Sequence, residues 1–378
     1  MIHEEISTES RARRTLGGAA RVLLALKIDG PLAIGLGLTA AYGLVVLYSA
    51  SAENVPMLLR TLLRVVLGTV VMLAIARVNP NVLRRVSPWL YGLGILLLLA
   101  VAAVGHVHLG AKRWLDLGPI HFQPSEVMKL AVPMMCAWYL HERPLPPRWR
   151  DLALLGAIIL LPVALVAKEP DLGTAMLIGA AGAIVVFLAG LQKRVIAVLL
   201  ILAVGGVWLG LRFMHSYQRE RLVSFLNPQA DPLGAGYHII QSQIAIGSGG
   251  VFGKGWMAGS QAQLDFLPER TTDFIFSVIG EEFGLLGLLA LLLLYAFIVG
   301  RSLYLSMQGP DTFSRLLGGS IALTFFVYVF INAGMTTGLV PVVGVPLPLV
   351  SYGGSSVVTV LSGFGILMSL YSHRKLMG

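Results

Sequence analysis

Apolar residues fill ten stretches of the chain, at roughly 31–51, 57–76, 88–107, 123–141, 151–168, 172–191, 195–213, 273–300, 316–338 and 347–371. Each is close to the roughly twenty apolar residues with which a helix crosses a hydrocarbon core. Short connections carrying charge, Pro and Gly separate them. The pattern therefore predicts an all-α fold: a polytopic membrane protein with ten transmembrane helices. Residues 1–30 read as a charged leader and residues 31–378 as a single ten-helix membrane domain. One connection, 214–272, is far longer than the others. Turn chemistry marks it at Asn227-Pro228 and Asp231-Pro232-Leu233-Gly234, yet Tyr237, Ile239, Ile240, Ile244, Ile246, Phe252, Trp256 and Phe266 run through it. This mixture predicts a long external loop bearing short interfacial helices.

Composition agrees with the pattern. Apolar residues make up 56% of the chain and charged ones 12%, which excludes a soluble domain with one anchor. The leader holds Glu4, Glu5 and Glu9, then Arg11, Arg13, Arg14, Arg21 and Lys27, and reads as cytoplasmic rather than as a signal peptide. Arg77, Arg84 and Arg85, Arg143, Arg148 and Arg150, Lys193 and Arg194, Arg301 and Arg315, and Arg374 and Lys375 then fall in alternate connections. By the positive-inside rule both termini are cytoplasmic. The net charge of +9 is concentrated in these short loops, so it points to topology and anionic lipid, not to nucleic acid. Cys136, the single cysteine, falls inside an apolar stretch and forms no disulfide framework.

Polar residues at the expected external ends form four clusters. The run Phe266-Leu-Pro-Glu269-Arg270-Thr-Thr-Asp273-Phe-Ile-Phe-Ser277-Val-Ile-Gly-Glu281-Glu282 sets acids and an arginine at the mouth of a span. Such groups are costly at a lipid boundary and suggest chemistry on a membrane-held substrate, although Thr272 or Asp273 could equally cap a helix. A helix starting near Thr272 places Asp273, Ser277, Gly280 and Gly284 on one face, with Asp273 where a general base would sit. The second cluster joins Lys112, Arg113, Trp114 and Asp116 to Gln123-Pro124-Ser125-Glu126 and Lys129, the last two spaced to pair across one helical turn. The third, Lys168-Glu169-Pro170-Asp171-Leu172-Gly173-Thr174, is a charged turn that stays close to the membrane. The fourth is Arg219-Glu220-Arg221, where guanidinium groups suit a pyrophosphate.

Two other motifs carry less. Gly247-Ser248-Gly249-Gly250-Val251-Phe252-Gly253-Lys254-Gly255 looks phosphate-binding but lacks the first Gly and the final Ser/Thr of a P-loop. His106 and His108 flank one residue with no further ligand near them in sequence, which argues against zinc.

Together these pieces resemble the SEDS family of bacterial cell-wall proteins. The matching segments are Lys112-Arg113-Trp114, Gln123-Pro124-Ser125-Glu126, Pro170-Asp171-Leu172-Gly173-Thr174, Leu267-Pro268-Glu269 with Thr272-Asp273-Phe274-Ile275-Phe276, and Pro348-Leu349-Val350-Ser351-Tyr352-Gly353-Gly354-Ser355. The stretch from Ile246 to Gln261 resembles the family's elongation members more than its division members. The resemblance implies a peptidoglycan glycosyltransferase of the bacterial cytoplasmic membrane that polymerises lipid II on the external face. It implies Asp273 as base toward the acceptor GlcNAc 4-hydroxyl and undecaprenyl pyrophosphate as leaving group. Lys112, Arg113, Trp114, Glu126, Lys129, Asp171, Arg219, Arg221, Glu269, Ser277 and Ser351 are the accompanying substrate-binding candidates. No organic cofactor is implied, and a divalent cation, Mg or Mn, is a candidate beside the pyrophosphate. The expected partners are lipid II, a class B penicillin-binding protein as separate transpeptidase, and the elongation machinery. Thr271 stands where many relatives carry His. A lipid II flippase and a non-catalytic scaffold are the rival readings. The collection of polar residues at one membrane face argues against the first.

Overall fold

Short polar caps ahead of apolar runs set the helix starts. The Asp29 carboxylate accepts from the Leu32 amide at 3.0 Å to open α1 (Gly30–Ala50), and Asn54 accepts from Met57 at 3.0 Å to open α2 (Val55–Ala76). Each cap satisfies an amide that has no partner within the helix. Then come α3 (Pro80–Val104), strands β1 (His106–His108), β2 (Ala111–Leu117) and β3 (Ile120–Phe122), and α4 (Pro124–Leu140), α5 (Trp149–Lys168) and α6 (Leu172–Leu188). After them lie a 3-10 turn at Pro228–Ala230, α7 (Tyr237–Ser248), α8 (Ser260–Gln263), α9 (Ile275–Met307), α10 (Thr312–Thr337) and α11 (Ser356–Ser372). This computed structural model describes residues 28–104, 106–108, 111–117, 120–169, 171–192, 195–198, Phe225, 227–230 and 236–373.

The helices pack as one bundle in which α11 lies along α2, α9 runs between α1 and α10, and α4 contacts α3, α6 and α10. Small residues bring the backbones together: a side chain at Gly365 would stand 2.6 Å from the Met72 carbonyl oxygen, and one at Gly43 2.6 Å from that of Leu349. Large apolar residues such as Leu63, Leu96, Leu160, Phe187 and Leu293 face outward instead, as expected of a surface solvated by lipid. Helices α1, α2, α3, α5, α9 and α10 are long and apolar enough to cross a membrane, and α6 and α11 are shorter apolar helices.

Most expected spans coincide with these helices, one falls largely outside the described residues, and two features differ. The expected seventh span, 195–213, lies outside the described residues beyond position 198. The last helix starts at Ser356, not near 347, because the backbone turns at Leu349, whose φ is 63°, before any helix can run. Finally, the connection after α3 folds as an antiparallel sheet in the order β1-β2-β3, so the helical bundle carries a small sheet that the all-α expectation omitted.

Helix α9 is broken at Gly284 (φ 64°, ψ −160°). The glycine-rich loop after α7 packs into the break. The Lys254 and Gly255 amides donate to the Glu281 and Glu282 carbonyls at 3.0 Å each, while Leu285 and Leu286 donate to Gly250 at 3.0 Å and Val251 at 3.1 Å. The loop thus satisfies the backbone groups that the break frees, the condition for an interrupted helix within a bilayer. Its glycines serve this approach and not a phosphate: a side chain at Gly253 would overlap the Glu282 backbone.

Candidate functional site

A cavity of about 270 Å3 opens where β2, the starts of α4 and α6, the turn before α9 and residues 344–356 meet. Arg113, Trp114, Glu126, Lys129, Asp171 and Asp273 all line it. The fold therefore joins three of the four sequence clusters at one place. Arg219 and Arg221, the fourth, lie outside the described residues, as does the side chain of Lys112.

Asp273 sits in a tight turn and not on the first helical turn, since α9 begins at Ile275. The face shared with Ser277, Gly280 and Gly284 that a start at Thr272 predicted is accordingly absent. The amides of Thr272 and Phe274 both donate to the Glu269 carbonyl, at 3.1 and 3.2 Å, and the Thr272 hydroxyl donates to the Glu269 carboxylate at 2.7 Å. From outside, Asn332 donates to the Asp273 carbonyl at 3.0 Å, Ser351 to that of Thr272 at 2.5 Å, and the Tyr352 amide to that of Thr271 at 2.7 Å. Three consecutive carbonyls are thereby fixed, which fixes the direction of the Asp273 side chain. Gly344 (φ 72°) passes beside it, close enough that a Cβ there would lie 3.4 Å from Asp273 Oδ2.

The opposite wall is built around Asp171. Its Oδ1 caps α6 by accepting from Thr174 at 3.1 Å, and its Oδ2 accepts from Gln123 Nε2 at 3.2 Å. Arg113 lies 3.8 Å from the same Oδ2 and donates through Nε to the Glu169 carbonyl at 3.1 Å, which latches β2 onto the turn between α5 and α6. Deeper in, Lys129 Nζ stands 2.6 Å from Glu126 Oε1 and 5.4 Å from the Tyr328 ring centre. Both members of the pair are only 6% exposed, and Glu126 Oε2 has no hydrogen-bond partner. Trp114 reaches across to Gly354, where a Cβ would meet its ring at 3.8 Å.

Three predicted residues do not line the cavity. Ser351 and Glu269 hold the Asp273 turn as described. Ser277 is fully buried, with its hydroxyl 2.6 Å from that of Ser242, tying α9 to α7. Glu281 is also remote, accepting from Lys254 Nζ at 2.7 Å and from the Gln261 and Ala262 amides at 2.9 and 3.1 Å. On the same side His238 stacks on Phe274 at 5.9 Å, and burial holds its imidazole below the usual range.

The sequence reading passed over Arg64. It lies on α2, donates to the Gly353 carbonyl at 3.2 Å and stacks over Tyr352 at 5.0 Å, beneath the strip that lines the cavity. Its signal was available: an arginine inside an apolar span marks a functional site by default.

The arrangement can accept a proton at Asp273 while cationic groups on the facing wall stabilise an anion.

Residues 31–376 match the model of a family described as cell cycle proteins, that of FtsW, RodA and SpoVE. The chain is 48% identical to the peptidoglycan glycosyltransferase MrdB of Escherichia coli K12 over 89% of this chain and 91% of that one. It is 31% identical to the peptidoglycan glycosyltransferase RodA of Treponema pallidum over 84% and 90%. Among solved structures, a chain of a peptidoglycan synthase complex that coordinates polymerization and crosslinking superposes with a TM-score of 0.80 at 35% identity, covering 92% of this chain and 98% of that one. The rod shape determining protein RodA of Thermus thermophilus superposes with a TM-score of 0.70 at 30% identity, covering 92% and 97%.

Proposed function

This chain belongs to the FtsW, RodA and SpoVE family of cell cycle proteins, the SEDS family, and we propose that it polymerises lipid II at the cavity beside Asp273. It is a peptidoglycan glycosyltransferase by this reading, acting in cell elongation as its MrdB and RodA relatives' names suggest. The observation that carries the assignment of the site is the meeting of Asp273, Asp171 and the Arg113–Lys129 cluster on one cavity, from three separate parts of the chain.

In the reaction, the 4-hydroxyl of an acceptor GlcNAc attacks the anomeric carbon of a lipid-linked MurNAc. Asp273 takes the hydroxyl proton as the new carbon–oxygen bond forms. The bond to undecaprenyl pyrophosphate breaks on the opposite face, and the linkage inverts from α to β. Arg113 supplies charge to the departing pyrophosphate, and Lys129, neutralised by Glu126, shapes the floor. Trp114 offers its ring to a sugar or to the first isoprene units. A divalent cation, where one takes part, would add to the charge that stabilises the departing pyrophosphate.

The cavity end faces outward and both termini lie in the cytoplasm, as the distribution of Lys and Arg supports. A class B penicillin-binding protein then crosslinks the product.

The test uses the purified chain with its penicillin-binding partner and labelled lipid II. Wild type makes glycan polymer and a folded Asp273→Asn variant makes none. Equal polymer from both would remove Asp273 from the chemistry. No polymer from either, with labelled lipid II crossing liposome membranes, would transfer the cavity to transport.

A further inference from the structure

Glu169 stands in the turn between α5 and α6, immediately behind Arg113. It is 6% exposed, and neither of its carboxylate oxygens has a hydrogen-bond partner. A buried carboxylate normally keeps its charge only with such partners. Among the described residues, two charged groups act on it: Arg113 from β2, whose Nε is held by the Glu169 carbonyl at 3.1 Å, and Asp171, two residues along. Lys168, its neighbour in the chain, is exposed. Burial first and the charge of Asp171 second push the Glu169 carboxyl up to about 8, with Arg113 acting in the opposite direction.

On the reading of this cavity as the polymerase site, we propose that Glu169 is a positioning residue that works as a neutral acid, leaving the charge of Arg113 to the substrate's pyrophosphate. Arg113 already shares the wall with one carboxylate, Asp171. While Glu169 keeps its proton, it adds no further negative charge against the guanidinium. Once Glu169 ionises, a second negative charge sits behind Arg113, draws it into the wall and repels the anion in front. Glu169 touches no reacting atom in this scheme. It acts through Arg113, and its effect belongs to the binding and departure of pyrophosphate.

The experiment follows polymer formation from labelled lipid II by the full chain and its penicillin-binding partner, with each protein's rate normalised to its own value at about pH 7. Wild type is expected to lose roughly tenfold by about pH 9, the fall of one group titrating near 8. Glu169→Gln, which carries no proton to lose, is expected to hold its rate over that interval. A variant with the wild-type alkaline limb overturns the proposal. Infrared difference spectra of wild type against the variant give a second readout: a protonated carboxyl band at neutral pH that fades as pH rises. Its absence from wild type overturns the proposal even if Glu169→Gln does not fold. Failure of wild type to polymerise at any pH removes the polymerase reading and this one with it. Polymer with an unmoved alkaline limb removes this one alone.

Discussion

Asn332 donates from a single amide nitrogen to two carbonyl oxygens, that of Asp273 at 3.0 Å and that of Val345 at 2.7 Å. Completely buried on α10, it clamps the two backbone segments that flank the Asp273 carboxylate. Asn332→Ala leaves both buried carbonyls without this donor, which costs about 1–3 kcal/mol for each group left unsatisfied. The expected result is a lowered melting temperature and a polymerisation rate reduced at least tenfold. Asn332→Asp should fare worse than Ala, because it brings a carboxylate against two carbonyl oxygens. Melting curves and rates of the two variants check the order.

Arg64 supports the other side of the cavity through Gly353 and Tyr352. Arg64→Lys keeps the charge and loses the planar stack, worth about 0.5–2 kcal/mol for a cation over an aromatic ring. If that geometry positions the Gly353–Gly354 strip against Trp114, the lysine variant behaves like Arg64→Ala, with a raised KM for lipid II. A lysine variant with wild-type KM would mean that charge alone is required.

The Glu126–Lys129 pair allows a cycle that separates stability from function. Lys129→Met strands the Glu126 carboxylate in a buried place, and breaking a buried pair in this way costs about 3–5 kcal/mol. Changing Glu126 as well, to Met, should recover most of that loss, since apolar replacements of buried pairs are often neutral. Polymerisation is expected to stay low in the double variant because both residues line the cavity. Recovery of activity together with stability would reduce the pair to a packing element.

Much of this was legible in the sequence, for physical reasons that differ by residue. Charged groups beside apolar runs are conspicuous, so Arg113, Glu126, Lys129, Asp171 and Asp273 could be marked without a fold. Arg64 was overlooked because its span was apolar enough to absorb two charges, Arg60 and Arg64, in the count. The error over residues 347–355 arose because apolar content does not reveal a turn at a non-glycine residue such as Leu349. Local spacing misled at Ser277, whose expected face required a helix starting at Thr272; the turn closed on Glu269 delays the start to Ile275. The sheet went unread because its strands are three to seven residues long and their register depends on pairing between them. The role of Asn332 was invisible, since a buried amide declares its function only through the carbonyls it meets.

Gly284 is predicted to tolerate no side chain. Its backbone lies in a region open essentially to glycine alone, at a cost of about 1–3 kcal/mol for other residues. A Cβ there would also stand 2.6 Å from the Val251 carbonyl oxygen. Gly284→Ala should therefore expel the loop from the break in α9 and expose the Gly250–Gly255 backbone to protease. Gly300→Ala on the same helix, where a Cβ meets nothing within 4 Å, is the control and should leave melting and cleavage unchanged.

Glu169 also predicts how stability depends on pH. Its carboxyl titrates near 8 in the folded chain against an ordinary 4.5, so between those values the folded state holds a proton that the unfolded state has released. Stability conferred by the other contacts is fully expressed below about 4.5, declines as pH rises through the interval, and levels off above about 8. Glu169→Gln has no such proton and lacks this decline. Near pH 5 wild type and variant should melt together, whereas near pH 9 the variant should be the more stable by a few kcal/mol at most. Parallel melting curves across the whole range would show that Glu169 ionises in the folded protein as freely as in the unfolded chain, with a partner for its charge.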